Sequence, residues 1–517
     1  MLLHQQSNSY RNITTLVCLI CDGVCLKRQR SGGQEKDCKL QPTLIFWRQT
    51  GVDYGPMKKI NSMFSTLQEK LHRSKSSNDS ASHQSITAPS ATPSGRERNY
   101  TGQLFFEYLL VVSLRKKSNE EGYEPHITYQ FPKRDVMGRS QREEEEKCMK
   151  AAHLFCFPEG INWAPLTEYR SETFSFVLTE LDGSRRNGYC RRLLPDGKGA
   201  RIPEAYCIIS RVACFGLFSK IFDEVEKRRR VSKAMIYPFM QSLREAPLPA
   251  PGNTVKITSF IPDSGTEIIS LTRPADSWLE HVDFRTLFRC LTDEQVLLVF
   301  AATVMERRII FISEELSTLS QVLHAVAALL YPFVWQHTFI SIIPEVLIDV
   351  CAAPTPYLLG VQKNMLELIT DRSDLLIVDL STEAKNKFIS SIGDEESILP
   401  TKLKEELLLA LSAHKHNTCT EDLNRLVSEE FLSFFIQTVG HFSQHVKRCG
   451  NTRQFQKKSF LKSVQHKSHL DFIKLFIRTQ MFDLFIQEEE TQPNPNGVFH
   501  KKVSEYHERK KREKTKT

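Results

Sequence analysis

Few residues in this 517-residue sequence have the types and spacing that could do chemistry. Asp196-Gly197-Lys198-Gly199 sets glycines beside a lysine, as a phosphate cradle would, but it lacks the Walker spacing and the following Ser or Thr. Cys18, Cys21, Cys25 and Cys38 could offer thiolates to a tetrahedral metal ion. Their intervals fit no closed zinc pattern, and a poorly ordered extension explains the same residues. His324 and His337 have no carboxylate or cysteine in register and read as packing or hydrogen-bonding side chains. Asp371, Asp374 and Asp379 mimic a loose metal-binding trio, yet the first two suit a turn before a strand. There is no GxGxxG after a strand, no GxSxG elbow, no HExxH and no paired CxxC. The expectation is a protein with no metal site, no cofactor and no bond-making catalytic residue.

Composition points the same way. With 40% hydrophobic and 25% charged residues, the chain is ordinary globular material, long enough for about three or four domains. The net charge of +8 is uneven, because His500 to Thr517 holds eight Lys/Arg against three Glu. The folded part is then near neutral, and nucleic acid is not an expected partner. Thirteen cysteines, several in apolar segments (Cys156, Cys207, Cys214, Cys290, Cys351), suggest reduced buried thiols in a cytoplasmic protein. Ile13 to Ile20 follows Arg11 like a faint secretory leader, but no small-residue cleavage site comes after it.

The elements that would position any site centre on Arg308 to Val361. No charged residue falls between Leu316 and Pro344. Arg308 to Ile312 reads as a buried strand. Leu319, Val322, Leu323, Val326, Leu329 and Leu330 then mark one face of a helix that ends at Pro332. Thr338 to Ile343 and Tyr357 to Val361 are further strand-like runs, giving a parallel α/β core. The longest apolar run, Ala325 to Trp335, is about half the roughly 20 residues a membrane span needs.

Around that core, residues 1–100 read as a largely disordered extension. It contains an amphipathic basic helix at 58–73, able to lie on an anionic membrane or to pack on the next domain, and a Ser/Thr/Pro-rich linker from Ser74 to Arg98. Residues 101–245 form a first domain with strands at Leu104 to Leu114, Ile127 to Phe131, Thr173 to Leu181, Tyr189 to Leu194 and Glu204 to Val212. The acidic run Glu143 to Glu146 precedes a helical piece, and the helix Phe215 to Arg230 ends in cations that suit the negative end of its dipole. The Pro-rich stretch Pro247 to Gly252 marks a boundary. The second domain, 253–380, opens with strands at Val255 to Ile261 and Glu267 to Leu271. Capping boxes follow at Ser277–Glu280 and Thr292–Gln295, and a last strand at Leu375 to Leu380. Residues 381–487 hold helices at Lys402 to Ala413, Asp422 to Phe442 and Leu470 to Gln487, and 488–517 reads as a disordered basic tail.

Several motifs in this frame form one longer signature. Glu306-Arg307-Arg308-Ile309-Ile310-Phe311-Ile312-Ser313, Leu319-Ser320, Leu329 to His337 (LLYPFVWQH), Pro344 and Ala353 to Val361 (APTPYLLGV) together closely resemble the central module of DENN-domain proteins, most of all their subfamily two. The resemblance runs from Gln103 to about Gln487 and includes Phe155-Cys156-Phe157-Pro158 upstream. Ser341 departs from it, since many relatives have Pro there. The first hundred residues match nothing in it, which suggests a truncated or spliced form.

The resemblance implies an α+β, Longin-like lobe (Leu104 to Arg230) joined to a three-layer α/β DENN lobe with a C-terminal helical appendage. It further implies a guanine-nucleotide exchange factor for a Rab-family GTPase, GDP-bound or nucleotide-free, with the Rab numbered nine as the associated partner. Such a protein is expected to be cytoplasmic, with peripheral recruitment to endosomal or Golgi membranes or actin-rich sites. The alternative is a Rab effector or trafficking scaffold of the same fold without exchange activity. The Rab switch regions are expected in the cleft between the lobes, against Phe215, Phe218, Glu314 and Glu315. The motif residues Tyr331, Pro332, Trp335 and His337 are expected to line the core.

Overall fold

The computed structural model describes residues 104–516, apart from 118–121, 134–138, 161–162, 180–184, 263–264, 274–281, 414–418, 451 and 492–496. The expected helix at 58–73, the linker after it, the four N-terminal cysteines and the Ser277–Glu280 box lie outside the described residues.

β1 (Tyr108–Lys116) and β2 (Tyr123–Phe131) form a hairpin, and α1 (Arg139–Cys156) takes in the acidic run instead of following it. With β3 (Thr173–Thr179), β4 (Arg185–Leu193) and β5 (Glu204–Ser210) they make an antiparallel sheet of order β2-β1-β5-β4-β3. Side chains alternate across a strand, and here both faces are apolar. Leu110, Val112, Phe176 and Cys207 pack towards α1. Leu109, Tyr189, Tyr206 and Ile208 face α2 (Phe215–Val231) and α3 (Ile236–Glu245).

β6 (Thr254–Ile261) and β7 (Gly265–Thr272) form a separate hairpin. Their expected place was at the head of the α/β domain; instead they extend the first lobe. Ile257 and Leu271 are buried with Phe218, Phe222 and Val225, and Lys227 Nζ holds Glu267 at 2.8 Å. Only one face of this hairpin is buried, and that face completes the apolar layer over α2 and α3.

The second lobe begins with α4 (Phe284–Cys290) and α5 (Asp293–Val304). The Thr292 capping box closes as expected, with Thr292 N donating to Gln295 Oε1 at 2.9 Å and Gln295 N to Thr292 Oγ1 at 3.3 Å. Then come β8 (Arg308–Ser313), α6 (Leu316–Ala328), β9 (Thr338–Ile340), β10 (Tyr357–Gln362), β11 (Leu376–Asp379) and β12 (Phe388–Ser390). The sheet order is β12-β11-β8-β10-β9, parallel except for the edge strand β12. β9 is shorter than its apolar run, and the helical piece after it, Glu345–Ala352, is a 3-10 helix.

Beyond α7 (Glu395–Ile398) lie α8 (Thr401–Ala413), α9 (Thr420–Val439), the hairpin β13 (Val446–Cys449) and β14 (Thr452–Phe455), α10 (Lys457–Lys462), α11 (Leu470–Phe476), α12 (Gln480–Thr491) and α13 (Val498–Lys516). Phenylalanines bind this module to the α/β lobe. Phe300 meets Phe431 at 4.7 Å, and Phe333 lies 4.9 Å from each of Phe435, Phe476 and Phe485. Two expectations need correction here. The helix expected across Leu470 to Gln487 is two helices, α11 and α12. The stretch expected to be a disordered tail contains α13, because Phe499 and Val503, one helical turn apart, are buried against the module that holds Phe442 and Phe485.

Candidate functional site

The lobes share a joint built from β3, α6 and the chain around Phe157. Ser341 Oγ donates to Ser175 O at 2.8 Å, Arg185 Nη2 to Trp335 O at 3.3 Å and Glu345 N to Pro158 O at 2.9 Å. Ser341 is thus a bridge between the lobes. Gly360 lets β10 pass close beneath it, since a Cβ there would sit 2.0 Å from Ser341 O. Arg192 is fully buried beside the joint, and its fork grips both oxygens of Glu159 at 2.6 and 2.7 Å. The Phe157, Trp163 and Phe174 rings surround this guanidinium, the nearest centroid at 4.8 Å.

At the rim of the joint, Ser171, Glu172 and Thr173 tie α2 to the start of α6. Ser171 Oγ donates to Glu226 Oε2 at 3.1 Å, and Ser317 Oγ donates to Glu172. Thr173 Oγ1 accepts from Arg191, which also holds Asp223 at 2.7 Å and Glu226 at 3.3 Å. Glu315 lies at the N-terminal boundary of α6, accepts from Thr318 Oγ1 at 2.7 Å and is exposed. Glu314 is exposed too, with Lys363 3.8 Å away. Glu172 lies within this segment, Asp223 and Glu226 meet it from α2, and Glu314 and Glu315 precede Ser317 at the start of α6; the Asp223 side chain is 65% and the Glu314 side chain 77% exposed. Arg191 and Arg230 offset the α2 carboxylates and Lys363 lies near Glu314, which leaves the rim modestly acidic.

The expected contact residues do not all gather there. Glu314 and Glu315 do. Phe218 does not: it is wholly buried, stacked on Tyr189 at 4.1 Å, and a partner cannot touch it while α2 stays folded. Phe215 is half-buried at the far end of α2, about 16 Å along the axis from Glu226 by helical rise. Asp223, Glu226 and Glu172 were not singled out from the sequence. The i, i+3 spacing of the first two on one helix was a weak signal, and Glu172 gave none. The cations ending α2 are also more than dipole partners. Arg228 is buried and pairs with Glu224 at 2.5 Å, and its charge sits 4.3 Å from the Phe239 ring centroid.

The motif residues sit at the junction with the helical module. Trp335 is 2% exposed and its Nε1 donates to Thr338 O at 3.1 Å. Tyr331 and Pro332 are half-buried and joined by a cis peptide bond. His337 Nε2 lies 3.2 Å from the carboxylate of Glu306, which accepts from Gln480 N and Met481 N, both at 2.8 Å, and so caps α12.

Among the described residues no group of three or more His, Cys, Asp or Glu could hold a metal ion. Asp371 accepts from Ser373 N at 3.0 Å and Asp374 has φ 51°, both in turn geometry before β11. Burial pushes the thiols of Cys156, Cys190 and Cys207 above the usual cysteine range, which keeps them protonated and poorly nucleophilic. No described helix is long and apolar enough to cross a membrane.

Comparison with known families matches residues 125–193 to the uDENN domain, 201–383 to the DENN (AEX-3) domain and 455–502 to the dDENN domain. DENN domain-containing protein 2D of Homo sapiens is 56% identical over 418 residues, covering 80% of this chain and 88% of that protein. DENN domain-containing protein 2B of Homo sapiens is 48% identical over 416 residues and DENN domain-containing protein 2A of Mus musculus 46% over 425. The matched region is 36% of the former and 42% of the latter.

Proposed function

Since this chain belongs to the DENN-domain family and carries its uDENN, DENN and dDENN modules in order, we propose that it is a guanine-nucleotide exchange factor for a Rab-family GTPase. Residues 104–272, which include the hairpin 254–272, are its Longin-like lobe, 284–390 its central α/β lobe and 395–516 its downstream helical part. The observation that carries the reading furthest is the rim where α2 and the start of α6 converge on Ser171 to Thr173, an exposed acidic surface spanning both lobes.

Exchange needs no covalent step by this chain. In a GTPase, phosphates and Mg²⁺ hold the switch loops. A surface that binds the nucleotide-free arrangement more tightly than the GDP-bound one weakens GDP by the same factor. A preference of about 4 kcal/mol corresponds to about a thousandfold. Glu314, Glu315 and Asp223 would meet cationic groups beside the partner's switch loops, and lobes locked by Ser341, Arg185 and Glu345 would hold that surface without a cost of closing.

The test is release of fluorescent GDP from a panel of Rab proteins, the Rab numbered nine among them. The protein should accelerate release from at least one member, and E314K/E315K should slow it about tenfold, or 1.4 kcal/mol, with an unchanged melting temperature. Binding confined to GTP-loaded members, without release, would instead make the chain an effector. Acceleration that survives both reversals would move the contact elsewhere. Endosomal or Golgi recruitment of a cytoplasmic protein belongs to the same proposal.

A further inference from the structure

The positive charge of this protein gathers in the last part of the helical module, from the second half of α9 onward. From Phe431 to Thr517 there are 17 Lys/Arg and 8 Asp/Glu, against 69 and 61 in the whole chain, so this stretch carries +9 and the rest −1. Between Glu430 and Asp471 there is no acidic residue at all. In the fold this run becomes β13–β14, α10 and the turns beside them. Lys447, Arg448, Lys457, Lys458, Lys462 and Lys467 are exposed. Among the described residues none of these six, nor Arg453, has a carboxylate within 4.0 Å.

Arg448 and Arg453 are direct cross-strand partners in the hairpin. Like charges in that position oppose each other and destabilise the pair. On α12, Glu490 accepts from Phe455 N at the end of β14 at 2.7 Å, one negative charge beside the hairpin, and Glu489 lies 3.1 Å from His500. His441 joins the surface to α13. It stacks on Phe460 of α10 at 4.3 Å, and His507 of α13 is close enough to disfavour its protonation. The end of α13 beyond His507 adds Arg509, Lys510, Lys511 and Arg512, partly offset by Glu508 and Glu513.

We propose that the cationic face made by β13–β14, α10 and the neighbouring end of α13 docks this protein on an anionic lipid bilayer. Five of the six exposed cations are lysines, compact charges on flexible stems. A discrete phosphate site would use a guanidinium fork or a backbone cradle, and single-stranded nucleic acid would need exposed rings to stack on. Here Phe460 is buried, Phe455 is half-buried, and the half-buried Tyr506 ring is already covered by Arg509 and Lys510, so the face offers a spread of charge with little ring surface to stack on. A layer of anionic headgroups is the partner that a diffuse field of this kind fits. The inference stands apart from GDP exchange, because it is read without any GTPase.

The experiment is co-sedimentation of the full-length protein with phosphatidylcholine vesicles, with and without phosphatidylserine, at low and high salt. The protein should bind the anionic vesicles, bind neutral ones far less, and lose binding as salt rises. Each neutralised cation should cost about fivefold, so K457Q/K458Q/K462Q should bind about a hundredfold more weakly. Lys256→Gln, on the hairpin of the first lobe, should bind as the parent does, and equal melting temperatures would show that all variants are folded. No preference for phosphatidylserine, a triple variant that binds undiminished, or capture by duplex DNA but not by vesicles would overturn the proposal.

Discussion

The joint between the lobes and the outer face of the helical module treat cations in opposite ways. At the joint and beside it buried guanidinium groups meet carboxylates: Arg192 both oxygens of Glu159, Arg191 Asp223 and Glu226, Arg228 Glu224. On the outer face Arg448 opposes Arg453 and, among the described residues, the α10 lysines have no carboxylate within 4.0 Å. Removing a charge from water is tolerable only when a partner and hydrogen bonds replace the lost hydration. Charges left in water need no such partner and remain available to something outside the chain. Answered cations fix the geometry of the fold, and unanswered ones mark where it faces outward.

The largest effect should come from breaking an answered pair. Glu159→Ala leaves the Arg192 guanidinium buried and unpaired, which should lower unfolding free energy by about 3–5 kcal/mol in urea titrations. Replacing both residues by Leu should recover most of that loss; if it does not, the pair matters for more than its charge. Glu306→Ala removes the cap from Gln480 N and Met481 N and should cost about 1–2 kcal/mol, with the loss read as protease sensitivity near α12.

A pH dependence separates the buried from the exposed part of the helical module itself. Burial first, then the neighbouring His445, lowers the His441 pKa from 6.5 to about 4. The unfolded chain binds this proton more readily, so stability is complete above pH 6.5 and falls as pH drops towards 4. Thermal melts should show that slope, and His441→Gln should flatten it. The smallest effect has the opposite sign: Arg448→Gln should leave stability unchanged or raise it by about 0.2–1 kcal/mol, because it relieves a like-charge pair. A marked loss there would mean that this cation is answered after all.

The α/β core was readable because Ile309 to Ile312 and the Leu319–Val326 face carry their periodicity in neighbouring residues. The allegiance of the hairpin 254–272 was not, since its alternation tells which face is buried but not against which lobe. The break between α11 and α12 was hidden because the apolar spacing runs on through Ile477 and Met481. The cap that starts α12 comes from Glu306, far upstream in the sequence. For α13, the charged residues outweigh Phe499 and Val503 in any compositional view, although their spacing was the available signal. Of the rim, Glu314 and Glu315 were legible as an exposed pair before a helix. Glu172 joins them only through a strand edge folded against α6, and Phe218 was misjudged because a helix's inward face depends on what packs there.

Exchange by differential affinity has a direct thermodynamic signature. For any Rab from which the protein accelerates GDP release, the protein's dissociation constants for the nucleotide-free and GDP-loaded forms should be measured side by side, together with the affinity of that Rab for GDP with and without the protein. The account predicts nucleotide-free Rab bound about a thousandfold more tightly, and GDP weakened by the same factor. Equal affinity for both forms, or a preference for the GTP-loaded one, would contradict it.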